Sequence, residues 1–151
     1  MARGSRRGSP RCPRSSRRPS VRKPSFEYAI VRVVPRVERG EQINAGVILH
    51  CAARDWLGAR IELDEARLCA IAPDVDLEAV RRSLAAIPRI CEGGPEAGPI
   101  GLLSRKERFS WLVATRSTMI QTSDTHVGLC DDPDVALERL LDKLVRPVRA
   151  R

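Results

Sequence analysis

Phe26-Glu27-Tyr28-Ala29-Ile30-Val31-Arg32-Val33-Val34 is the stretch that decides the fold. Its β-branched and aromatic residues favour a strand, and Pro35 ends it. Alternation places Tyr28, Ile30, Arg32 and Val34 on one face and Ala29, Val31 and Val33 on the other. Both faces are largely apolar, which predicts a central strand. Outward from it, the charged run 35–42 breaks the pattern. Ile43–Cys51 and Trp56–Leu63 then read as second and third strands. The 52–55 link is hairpin-sized and predicts that those two are antiparallel neighbours.

Helical signals come next along the chain. Asp64–Ile71 reads as a short helix. Asp76 caps a longer one, whose apolar stripe is Val80, Leu84, Ile87 and Cys91. The run Glu92–Gly101 holds four glycines and two prolines and reads as a loop. Ser104 and Glu107 form a capping-box pattern, which favours a helix over Phe109–Val113, with strand the alternative for Trp111–Ala114. Ser117–Ser123 reads as a fourth strand. Asp132-Pro133 opens a last helix through Leu144, and Pro147 lies just beyond it. Strands, helices, strand, helix is an α+β order and not a βαβ repeat. The expectation is one domain over 26–145: a mainly antiparallel sheet of about four strands with three to four helices.

The chain has 151 residues and a formal charge of +8, and the charge is unevenly placed. Residues 1–25 hold nine basic side chains and no acid, and residues 146–151 add three arginines. The remaining fifteen basic residues face nineteen acids, so residues 26–145 carry −4. Residues 1–25 are Arg/Ser/Pro-rich and predict a disordered extension; residues 146–151 predict a basic tail. Arginine outnumbers lysine 24 to 3, as in a GC-rich genome. In such a genome a start codon is readily assigned too far upstream, and Val21 is the expected alternative. No run approaches the roughly 18 apolar residues that span a bilayer. Pro10, Pro13, Pro19 and Pro24 would interrupt a transit-peptide helix, and no apolar run succeeds the basic stretch as a secretory signal requires. Five widely spaced cysteines predict reduced, buried thiols and a cytoplasmic protein.

Two polar stretches could carry chemistry. The first, Arg32 to Val47, sets Arg32, Arg36, Glu38 and Asn44 beside buried strands. Arg32 shares a face with Tyr28 and Ile30, so its charge needs a partner. That partner is either an internal acid (Glu38 or Glu62) or a phosphate or carboxylate held bidentately. Asn44 reads either as a ligand group or as a bond to loop backbone. The second stretch, Arg116 to His126, includes Ser117 and Gln121. It reads as the polar face of an antiparallel strand; no G-x-S-x-G elbow supports a nucleophile. Should both stretches lie at one end of the sheet, Arg36, Asn44, Arg116, Gln121 and His126 would form a polar pocket. The candidate anion- or partner-binding set is Arg32, Arg36, Glu38, Asn44, Arg60, Arg116, Ser117 and Gln121. No catalytic residue is assigned, with His126 the acid/base candidate for an enzyme reading.

Metal and cofactor signatures are missing. His50 and Cys51 are adjacent on a strand and point to opposite faces, and His126 and Cys130 flank a glycine. The glycine-rich 93–99 segment lacks the P-loop lysine. Five aromatics are too few for a base-stacking sheet, so nucleic-acid binding is expected only of the basic tail. No cofactor is expected.

The stretches Phe26 to Glu41, Ile43 to Leu49, Ala59 to Asp64 and Arg116 to Ser123 resemble the bacterial family called domain of unknown function 3037. The resemblance spans about residues 26–145, and Tyr28 to Leu49 is its specific part. Ala45 stands where the family pattern has valine, and the N-terminal extension lies outside the pattern. The resemblance carries over no activity and no catalytic residue. It implies an accessory role, since members are often encoded beside a HipA-like kinase. The expected function is an interaction or accessory module with such a kinase as possible partner. The alternatives are an enzyme or binding protein for a phosphorylated or carboxylated small molecule, and nucleic-acid binding through the tail.

Overall fold

The computed structural model describes residues 23–114 and 118–149. Strand β1 (Ser25–Val33) is central, as its two apolar faces require. It pairs antiparallel with β2 (Ile43–Cys51), which pairs with β3 (Trp56–Ile61). The other edge of β1 is shared end to end by β4 (Ile120–Thr122) and β5 (His126–Leu129). The sheet therefore holds five strands in four positions, in the order β3-β2-β1-β4. The expected fourth strand is shorter than 117–123, and β5 is an addition.

Ser123 explains the break between β4 and β5. Its Oγ accepts from Ile30 N at 2.8 Å, and its own N–H donates to Ile30 O at 2.9 Å. The side chain thus supplies an acceptor that the strand backbone would otherwise give. Both polar groups of Ile30 stay satisfied while the chain turns.

A bulge divides β2. Val31 faces Gly46 and Arg32 faces Asn44, leaving Ala45 unpaired. An extra residue inverts the facing of the strand beyond it. Ile43 and Ala45 join Ile48 in one core, while Val47, Leu49 and Cys51 join the other.

Helices cover both faces. One core lies under α1 (Glu65–Ile71), α2 (Leu77–Glu92) and α3 (Arg105–Leu112), through Leu68, Val80, Leu84, Ile87, Phe109 and Leu112. The other lies under α4 (Pro133–Leu144), through Leu137 and Leu141. Helix α4 packs mainly on β2 and β3, so the β1 and β4–β5 side of that face is less covered. Asp76, Ser104 with Glu107, and Asp132 cap their helices as the sequence announces, and Asp64, expected inside α1, caps it instead. Helix α3 runs to Leu112, which settles the helix-or-strand alternative. The expected 92–101 loop holds two short 3₁₀ turns, 95–97 and 99–102.

Arg108 joins α3 to α2. It is 7% exposed and donates to Leu103 O, Ile90 O and Cys91 O at 3.1, 2.8 and 2.6 Å. The guanidinium takes up the orphan carbonyls at the end of α2, where positive charge also suits the helix dipole. Burial pushes the Cys91 thiol beneath it up to about 12. Gly93, at φ +77°, leaves room: a Cβ there would sit 2.7 Å from Arg108 Nη1.

Candidate functional site

Strand register brings three of the sequence candidates into one row. Arg32 of β1 is paired on one side with Asn44 of β2 and on the other with Gln121 of β4. Paired residues share a face and lie about 5 Å apart, so the three side chains stand together on the α4 side. Asn44 Nδ2 donates to Leu144 O at 3.0 Å, tying the row to the end of α4. Gln121 Nε2 donates to Thr118 O at 2.9 Å.

Arg32 is the anomaly in this row. It is partly buried, and its Nε is fully buried with no hydrogen-bond partner among the described residues. Neither Glu62 nor Glu38, the two internal acids expected for it, is in place. Glu62 is held by Arg146 at 2.8 and 2.9 Å, and this bond lowers its pKa. Glu38 is exposed in the loop after β1. A cationic donor in this position is costly unless an acceptor arrives.

The other candidates are placed elsewhere. Arg60 of β3 lies beneath α4, where its donors meet Glu138 and Asp134, the latter at 2.6 Å. Arg146, expected in a basic tail, bridges Glu62 and Glu138 and sits within the fold. Hydrogen bonds from Arg146 and then Arg60 hold the Glu138 carboxyl below its usual range. Arg36 lies past the end of β1 and meets Asp74 at 2.6 Å. Arg116 and Ser117 lie outside the described residues. His126 is exposed and paired with Tyr28, its ring 5.3 Å from the tyrosine ring. It is four residues from Arg32 along β1, about 13 Å at 3.3 Å per residue. The five-residue pocket expected from Arg36, Asn44, Arg116, Gln121 and His126 is therefore not assembled among the described residues; Asn44 and Gln121 flank Arg32 instead.

Sequence reasoning overlooked α4. Asp134, Glu138 and Asp142 recur every four residues on one flank, and Arg139 and Lys143 are four apart elsewhere on the helix. That charge segregation was readable. Lys143 and Asn44 also line one cleft of about 460 Å³ at the end of α4. No group of three or more potential metal ligands occurs among the described residues, and no described helix is long and apolar enough to cross a membrane.

The molecule is thus an α+β domain with one antiparallel sheet between two helical layers. It belongs to the family described as protein of unknown function (DUF3037), which matches residues 28–145. No curated protein and no solved structure matches the chain.

Proposed function

We propose that the chain is an interaction module that receives an acidic group, carboxylate or phosphate, on Arg32. One observation carries this reading: the buried, partnerless Nε of a guanidinium standing between Asn44 and Gln121. A planar fork of donors suits an oxyanion, and an arriving acceptor would relieve the desolvated N–H. An enzyme reading has less support, because His126 is too far along β1 to exchange a proton with a group held on Arg32. A HipA-like kinase, suggested by the family resemblance, is the first protein partner to try.

The test tracks the Arg32 Nε–Hε resonance during titration with sodium acetate and sodium phosphate at constant ionic strength. A saturable shift is expected at Arg32 and is lost in Arg32→Gln. A flat response at Arg32, or an equal response at every arginine, would sink the reading.

A further inference from the structure

Helix α4 carries its charges in two stripes. Asp134, Glu138 and Asp142 look over β3, where Arg60 and Arg146 meet them. At about 100° per residue, Ala136, Leu140 and Lys143 fall on the opposite flank, above β1 and β5, with Arg139 at its rim. Arg139 and Lys143 form no ion pair with any described residue, and neither does Arg32 on the sheet below. A cleft of about 280 Å³ separates this flank from β5. Its lining includes Phe26, Ala136 and Leu140, and Val135 at its rim is 45% exposed. The two acids at the cleft are engaged, Asp131 by Lys23 at 3.4 Å and Asp132 as the cap of α4.

The charged groups here that lack an ion pair among the described residues are thus cations, although Arg139 also borders the groove that holds Asp134, Glu138 and Asp142. A nucleic acid fits poorly. The rings available for stacking on this face, Tyr28 and His126, already face each other. We infer that this flank docks an acidic amphipathic polypeptide segment of a partner protein. Its carboxylates lie on Arg139, Lys143 and Arg32, and its apolar side chains cover Val135, Ala136 and Leu140. The inference rests on the Arg32 reading and adds the class of occupant.

The probe is a fluorescein-labelled twelve-residue peptide in which pairs of glutamates alternate with pairs of leucines. Its anisotropy is read with the full chain at 150 mM NaCl. Joint replacement Arg139→Glu and Lys143→Glu weakens binding at least tenfold. Arg139→Gln with Lys143→Gln, which adds no acid to the last turns of the helix, weakens it less. Arg82→Glu, on the far helical layer, leaves it unchanged. A polyglutamate of equal length binds at least fivefold more weakly than the probe. The inference is overturned if charge reversal leaves peptide affinity unchanged. It is also overturned if a twelve-nucleotide oligo(dT) loses affinity by the same factor as the peptide. Acetate or phosphate binding at Arg32 without peptide binding would overturn the docking surface and leave the Arg32 reading standing. A silent Arg32 resonance would remove both.

Discussion

Two arginines in this molecule, Arg108 buried and Arg32 partly buried, differ in what replacing them should do. Arg108 spends its donors on three backbone carbonyls, while Arg32 holds a buried Nε with none. Removing Arg108 strands those carbonyls, so Arg108→Met should cost about 2–4 kcal/mol. Arg32→Met deletes an unsatisfied donor and keeps an apolar stem, so its stability should match or exceed the wild type. Urea unfolding of the two variants checks the contrast; an equal loss in both would show that Arg32 is satisfied after all. His50 gives a pH test at the same scale. It is 8% exposed, stacks on Phe109 at 5.2 Å, and burial lowers its pKa from 6.5. The unfolded chain binds the proton more readily than the folded one. His50 therefore contributes nothing against unfolding above pH 6.5, and stability falls as pH drops from 6.5 through the lowered folded value. The slope of the urea midpoint between pH 6.5 and 5 should be shallower in His50→Gln.

Elements show what could be read in advance. Strands β1 to β3 announce themselves by apolar runs bounded by charge, and α2 and α3 by their stripe and capping box. The bulge at Ala45 was not readable, because nothing local in Asn44-Ala45-Gly46 marks it. Beside it lies a close approach. A Cβ at Gly46 would lie 2.5 Å from Arg60 O and from Ile61 Cδ1, so β2 and β3 can come together only around glycine. Gly46→Ala should push β3 outward and cost roughly 2–3 kcal/mol, by analogy with overpacked cores. Loss of amide protection along β3, with β1 less affected, is the signature by hydrogen exchange. Strand β5 was missed for a related reason. Gly128 breaks an apolar alternation, and it is tolerated because the Phe26 ring covers it from β1. The Asn44–Arg32–Gln121 row was half legible. The residues were evident from their types, but only register across three strands sets them side by side.

At the scale of the whole molecule, the +8 charge misdescribes the folded part. Residues 26–145 sum to −4, Lys23 and Arg146 in their ion pairs bring this to −2, and the remaining excess lies in the ends. Seven arginines lie before Val21, while Lys23, which meets Asp131, and Pro24, whose carbonyl accepts from Cys130 N, lie after it. A chain starting at Val21 should therefore keep the β1–β5 junction and its melting temperature. It should lose at least tenfold in affinity for a twenty-nucleotide oligo(dT) at 50 mM NaCl. Full-chain binding should weaken steeply with salt, by about 0.7 in log K per phosphate neutralised for each log unit of salt, and the shortened chain should flatten that slope. The same shortening should leave the glutamate–leucine peptide bound at 150 mM NaCl, because Arg32, Arg139 and Lys143 are untouched. Equal oligonucleotide affinity and equal salt slope in the two chains would place the phosphate contacts on the domain, and the basic flank of α4 would then be a nucleic-acid surface.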